Sequence, residues 1–264
     1  MSVRAKKHLG QHFLKDATVS QRIADAIPRS DDSKLVLEIG PGMGALTQFL
    51  LKRDDFETHV VEIDTESVEY LEQNFSNLKG RIHSDDFIKM DLNQIAEGRE
   101  FMVVGNFPYN ISSQILFKVL GYRNQVPMVV GMFQKEVAER VAEGPGSKKY
   151  GIISVLLQAF YDIEYLFTVD EDRFIPPPKV KSGVIRLIRN EVEELGCDEK
   201  LFTSVVKMAF NQRRKTLRNA LKPLISKVPG LLEENMDLLS RRAETLTVSE
   251  FIELTHKLSV ETSG

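Results

Sequence analysis

A single cysteine, Cys197, stands in a chain of 264 residues. That scarcity excludes a disulfide framework, a thiolate zinc site and a cysteine-bound iron–sulfur cluster, and it suits a reducing cytoplasm. Long apolar runs are missing too. The best, Ile152–Leu157, falls far short of the roughly 18–20 residues that span a bilayer. The basic start (Arg4, Lys6, Lys7) leads into no apolar stretch with a small-residue cleavage site, so neither a secretory signal nor a membrane partner is expected. There is no internal repeat and no heptad pattern. What remains is an ordinary globular balance, 42% hydrophobic and 28% charged, in a chain long enough for one large domain or a main domain with a smaller partner.

The net charge of −3 conceals an asymmetry. Between Asp54 and Glu100 thirteen acids face four bases, whereas between Arg173 and Lys227 thirteen bases face five acids. Lys200 to Lys227 holds eight bases and no acid. A solvated helix face normally mixes signs, so this run points to a polyanion; the plainer reading is a merely soluble basic helix.

The first half alternates short apolar strands with helical segments. Strands are expected at Lys34–Gly40, Thr58–Ile63, Arg81–Ser84, Phe101–Val104 and Met128–Phe133, with helices at Ala45–Arg53, Glu66–Phe75 and Ser112–Leu120. Such alternation builds a parallel sheet covered on both faces, whose ligands bind at the carboxyl ends of the strands. Glu143–Lys149 reads as a mobile polar loop, and Tyr161–Val169 with Gly183–Ile188 as two late strands at an antiparallel edge. Beyond about Asn190 only helices follow, near 200–211, 213–227 and 247–258. Two domains are therefore expected, an α/β domain over 1–190 with a basic N-terminal arm and a small all-α domain over 191–264 that carries the basic run.

Glu38-Ile39-Gly40-Pro41-Gly42-Met43-Gly44 joins a strand to a helix, and Glu62 ends the next strand. With Ala45 the loop meets the loose dinucleotide fingerprint, which a structural turn or a nicotinamide site would equally satisfy. Pro41, however, removes a donor that a pyrophosphate needs, and the surrounding acids (Glu38, Glu62, Asp64, Asp85, Asp86) would repel it. A phosphate-free adenosine bearing a positive centre fits better. S-adenosylmethionine is such a molecule, with Glu62 accepting from the ribose hydroxyls and Asp86 from the adenine amine. For Asp86 an exposed loop acid or helix cap is the plain alternative.

Asn106-Phe107-Pro108-Tyr109 follows the fourth strand. It is either a turn before a helix or a device for an exocyclic amine, a poor nucleophile because its lone pair is delocalised into the ring. The Asn106 amide oxygen and the carbonyl of Phe107 or Pro108 would accept the two N–H groups, aim the lone pair at a methyl donor and leave Tyr109 to stack on the base. The target must then be unpaired or flipped out. His8 and His12 stand four apart, but Gly10 lies between them and no third ligand is evident, so no metal is expected.

These segments, together with Lys6–Leu14, Arg173–Ser182, Phe210–Asn219 and Arg242–Leu246, give nearly the whole chain a resemblance to the small-subunit (16S) ribosomal RNA adenine N6,N6-dimethyltransferases. The resemblance implies a class I S-adenosylmethionine-dependent methyltransferase (Rossmann-like) domain followed by a small all-α domain. It implies transfer of two methyls to each of two adjacent adenosines near the 3′ end of 16S ribosomal RNA in an immature small ribosomal subunit. It assigns His12, Leu14, Gly40, Gly42, Glu62, Asp86 and Asn106 to the cofactor. Asn106, Pro108 and Tyr109 would hold the target amine, and Phe174 would stack on the other face of the base, unless Phe174 is simply core. Phe107 departs from the family's more usual leucine, and the triple proline Pro176–Pro178 is also unusual.

Phosphate contacts are expected from Lys6, Lys7, Arg213, Arg214, Lys215, Arg218 and Lys222, with Lys148 and Lys149 as weaker additions. A monomer is the default. The alternatives are a large-subunit adenine methyltransferase, an assembly factor that mainly grips RNA, and, disfavoured by Pro41 and the lack of a hydride-transfer acid–base pair, a nicotinamide oxidoreductase.

Overall fold

A computed structural model describes residues 3–29, 34–228 and 230–259, which form two compact units. The first runs to Ala138 and resumes over Ile163–Arg189. In chain order the strands are β1 (Phe13–Leu14), β2 (Lys34–Ile39), β3 (Phe56–Glu62), β4 (Ile82–Ser84), β5 (Phe101–Asn106), β6 (Met128–Gln134), β7 (Tyr161–Val169), β8 (Phe174–Ile175) and β9 (Ser182–Arg189). Seven make one sheet in the order β4-β3-β2-β5-β6-β9-β7, and β1 pairs separately and antiparallel with β8. The run from β4 to β6 is parallel; β9 lies antiparallel to β6, so the sheet is mixed.

Leu35–Ile39, Val60, Val61, Val103, Val104, Val129 and Val130 are all buried. Continuous apolar strands suit a sheet covered on both faces, since alternation would expose one of them. One cover is the helix Ala17–Asp25, which the sequence reading missed although Val19, Ile23 and Ile27 recur every fourth residue. Asp16 caps it, accepting the N–H groups of Thr18 at 2.9 Å and Val19 at 3.3 Å. Because β2 is flanked by β3 on one side and β5 on the other, the chain order reverses between β2 and β5. Their carboxyl ends carry Ile39 and Asn106, and a ligand crevice belongs there.

The unusual Phe107 has a structural counterpart. Gly105 of β5 and Gly131 of β6 are direct cross-strand partners, and the Phe107 ring lies over both. Phe107 is buried and meets Phe133 edge to face, with ring centroids 5.0 Å apart.

The second unit comprises Glu139–Asp162 and the chain from Asn190 onward, whereas the sequence reading drew one boundary after residue 190. Ile153–Leu157 are all buried, and their helix Ile152–Gln158 packs with the helices Glu199–Asn211 and Val248–Ser259. That apolar run needs cover on every side, which draws it in with the later helices. Tyr150, Phe210 and Phe251 form the aromatic centre, with successive centroids 5.9 Å apart.

Two expectations fail here. The single helix over 213–227 does not form: Thr216 is extended (φ −68°, ψ 157°) and bridges to Arg242, so helix starts only at Leu217, and Leu221 (φ −101°, ψ 11°) parts Leu217–Ala220 from Lys222–Ile225. Arg214 and Arg218 therefore share no helix face, nor do Lys215 and Lys222. Glu143–Lys149, read as mobile, is tied down: the Gly146 N–H donates to the Glu244 carbonyl at 2.6 Å, and Arg213 Nη2 to the Ser147 carbonyl at 3.1 Å. Among the described residues no helix is long and apolar enough to cross a membrane.

Candidate active site

The glycine loop is shaped by the carboxylate that follows it in sequence. Glu62, at the end of β3, accepts the Gly42 N–H at 3.0 Å and the Asp64 N–H at 2.9 Å, so one buried side chain holds the loop against the next turn. Burial pushes the Glu62 carboxyl up, and these backbone bonds oppose it. Gly42 (φ +54°) admits no side chain, since a Cβ would stand 2.8 Å from Phe13. At Gly40 (φ +65°) a Cβ would meet only Pro108, at 3.7 Å, which leaves the loop backbone open to the crevice.

Glu38 is 1% exposed, and the Thr47 hydroxyl donates to it at 2.7 Å. Burial pushes its carboxyl up to about 8; the Thr47 bond opposes the shift and Glu62 adds to it. Between pH 4.5 and 8 the folded chain thus holds a proton that the unfolded chain has released. Folding stability falls as pH rises through that window, at most by roughly 1.4 kcal/mol per unit. Glu38→Gln should abolish this loss: urea midpoints at pH 5 and 8 should show the variant gaining on the parent chain at the higher pH.

Asn106 ends β5 inside the crevice, and its amide Nδ2 donates to the His12 carbonyl at 2.9 Å. That leaves Oδ1 to act as an acceptor. The Pro108 carbonyl accepts the Ile111 N–H at 3.2 Å in a tight turn. Tyr109 is hydrogen-bonded to Ser182 and lies against the His12 ring, with centroids 5.4 Å apart. Burial raises the Tyr109 phenol, which therefore stays neutral.

An N-terminal arm closes this side. His12 Nδ1 is 2.8 Å from the Pro176 carbonyl, and Asn110 Nδ2 donates to the His8 carbonyl at 3.3 Å. Gly10 (φ +66°) allows the second contact, because a Cβ there would stand 2.7 Å from Asn110 Oδ1. At the start of the arm, Lys6 pairs with Asp64, and Gln11 Nε2 donates to the same carboxylate at 3.2 Å. Burial raises the Asp64 carboxyl, but its bonds to Lys6, Gln11 and Ser67 outweigh that and hold it low. Asp64 serves the arm.

Together these elements enclose a cavity of about 230 Å³. Its lining includes His12, Leu14, Gly40, Gly42, Glu62, Asp86, Asn106, Pro108 and Tyr109, while no lysine or arginine lines it among the described residues. Of the site expected from sequence, only Phe174 lies elsewhere. It is 1% exposed, pairs with Leu14 across β1 and β8, and belongs to the core beside Val169 and Val184. It cannot stack on a base without leaving that core.

The chain matches the family described as ribosomal RNA adenine dimethylase over residues 2–256. The chain belongs to that family. It is 60% identical over 253 residues to ribosomal RNA small subunit methyltransferase A of Parabacteroides distasonis, covering 96% of this chain and 93% of that one. The like-named protein of Cytophaga hutchinsonii is 59% identical over 259 residues, covering 97% and 98%. A crystal structure of a dimethyladenosine transferase from Plasmodium falciparum superposes with a TM-score of 0.77 at 25% identity, covering 94% and 96%. The 23S rRNA methyltransferase ErmE shares the fold, with a TM-score of 0.69 at 24% identity, covering 93% and 99%. The α/β unit is thus a class I methyltransferase domain, and the chain is an rRNA adenine dimethyltransferase.

For a family member that handles RNA, the fate of the expected phosphate-binding cations matters. In the first unit Lys7 is exposed, whereas Lys6 is engaged by Asp64 and Glu66. In the second, Arg214, Lys215, Arg218 and Lys222 are exposed, but Arg213 pairs with Glu244 at 3.3 Å and ties down the 143–149 loop. Lys149 likewise pairs with Glu139 at 2.7 Å. Sequence could not separate these two roles, since Glu244 lies 31 residues beyond Arg213. Gln11, Asn110 and Ser182 were also missed as parts of the site, although Gln11 and Ser182 stood inside segments already singled out for their resemblance to the family.

Proposed function

We propose that the chain transfers methyl groups from S-adenosylmethionine to N6 of two adjacent adenosines in a loop near the 3′ end of 16S ribosomal RNA. It would act as a cytoplasmic monomer on an immature small ribosomal subunit. The observation that carries this reading is the Asn106 amide, whose N–H is held by the His12 carbonyl inside a cavity that offers carboxylates and, among the described residues, no lysine or arginine. A pyrophosphate would find no positive partner there, whereas a sulfonium and an ammonium suit such walls. His12, Leu14, Gly40, Gly42, Glu62, Asp86 and Asn106 would hold the cofactor. When bound, it supplies an electrophilic methyl.

The chain's own part is positioning. Asn106 Oδ1 and one backbone carbonyl accept the two N–H groups of the target amine. Because the Pro108 carbonyl is already turned onto Ile111, we assign the second role to Phe107. Tyr109 stacks on the base, and the arm excludes water. No general base is required, since the amine proton leaves after the lone pair has formed the new bond.

The exposed Lys7, Arg214, Lys215, Arg218 and Lys222 would contact phosphates. Replacing Arg214 and Arg218 together by glutamate should weaken RNA binding and flatten its log–log salt slope by about 0.7–0.9 per lost contact. An unchanged slope in binding titrations across potassium chloride concentrations would place the RNA surface elsewhere.

The decisive assay offers labelled S-adenosylmethionine and small subunits lacking the modification. Dimethyladenosine at two adjacent 3′-end positions is expected. Transfer to large-subunit RNA would overturn the substrate, and tight subunit binding without transfer would make the chain a binding factor.

A further inference from the structure

Tyr109 is a ring on a turn, and a turn by itself leaves such a ring free to swing. Its hydroxyl, however, is bonded to the hydroxyl of Ser182. Ser182 is completely buried, at the head of β9, opposite Gln134 of β6. Just beside it, the Lys135 N–H donates to the Lys181 carbonyl at 2.9 Å, so the backbone that carries Ser182 is locked into the sheet. The hydroxyl is thus a buried anchor point on a strand paired into the sheet.

We propose that Ser182 is a positioning residue for methyl transfer: it pins the Tyr109 hydroxyl to the sheet and so sets the plane on which the target base stacks. This rests on the reading of Tyr109 given above. The geometry supports it from both sides of the ring. One end of Tyr109 is tethered to β9, and its face is braced by His12, whose ring is inclined to it by 30°. His12 is in turn held 2.8 Å from the Pro176 carbonyl, so each restraint on the ring has a further partner of its own. A stacking platform fixed in this way presents the amine to Asn106 in one orientation. A platform free to rotate would present it in many, of which few are productive.

If the bond acts only through the ring, its two ends form a unit. Removing either should have the same consequence, and removing the second should add nothing. Ser182→Ala deletes one hydroxyl with little change of volume, and Tyr109→Phe deletes the other while keeping the stacking ring. Each single variant should lower kcat about tenfold, the factor expected for one lost orienting hydrogen bond. The double variant should match the slower single one, and the affinity of Ser182→Ala for S-adenosylmethionine, read by calorimetry, should be unchanged.

The unmodified chain is measured in the same assay on small subunits. If it transfers no methyl, the assigned function fails and the inference with it. If it is active and Ser182→Ala keeps full kcat, or if the double variant loses the product of the two single losses, Ser182 has only a packing role and the inference is overturned. Should Ser182→Ala fold poorly, Tyr109→Phe decides alone, because full activity without the phenol excludes a positioning bond.

Discussion

Asn106→Ala is expected to lower the rate of methyl transfer by about 10²–10³-fold, the usual consequence of deleting one preorganised polar group at a reacting centre. The side chain has two ends with two tasks. Nδ2 donates to the His12 carbonyl at 2.9 Å, which fixes the amide and leaves Oδ1 for the amine. Alanine removes both the acceptor and the fastener of the arm. Asn106→Asp separates the tasks: it keeps an acceptor of the same shape but puts a carboxylate oxygen against a carbonyl that needs a donor. The aspartate variant should therefore also be slow, and its arm should become sensitive to protease near His12. Single-turnover methyl transfer, with a parallel titration of S-adenosylmethionine, reads both effects. Near-normal turnover in Asn106→Ala would remove the amide from the chemistry, whereas a slow alanine variant beside a fully active aspartate would keep the acceptor and discard the clamp.

The clamp marks a limit of reading a chain from its sequence. Strands such as Tyr161–Val169 were legible to the residue because local burial pattern and β-propensity agree there. So were the glycine loop, Glu62 and the Asn106–Tyr109 segment, where unusual residue types sit at strand ends. The arm was legible as a motif but not as a lid. Its contacts join His12 to Asn106 across 94 positions and to Pro176 across 164, and no local spacing encodes such pairs. Phe174 failed for the opposite reason. An aromatic at a strand end suits a base or a core equally well, and only the pairing of β8 with β1 decides. Arg213 was misread because a cation in a basic run gives no sign that Glu244 waits for it.

Gly131→Ala should be among the most damaging single-methyl additions in the first unit, and the damage should depend on Phe107. A Cβ on Gly131 would overlap the Phe107 ring and come within 2.7 Å of Phe133 Cε2. The opposite partner offers no relief, since a Cβ on Gly105 would meet the Ile39 carbonyl at 2.6 Å and Phe107 Cε1 at 2.8 Å. The two glycines thus form the floor of a slot that the phenylalanine fills. Overpacking of this kind costs about 1–3 kcal/mol. Phe107→Leu alone should also destabilise the chain, by leaving part of the slot empty. Combining the two should return most of the loss, because the smaller side chain and the extra methyl compensate each other. Urea midpoints of the four chains give the coupling directly, and simple additivity of the two costs would dismiss the slot. Activity should follow the same pattern. Phe107 directly follows Asn106 and carries the carbonyl assigned to the target amine, so a ring lifted off its floor also moves the second acceptor. Gly131→Ala should then lose kcat beyond what its lost stability explains at temperatures where it stays folded, and Phe107→Leu in the same chain should restore both.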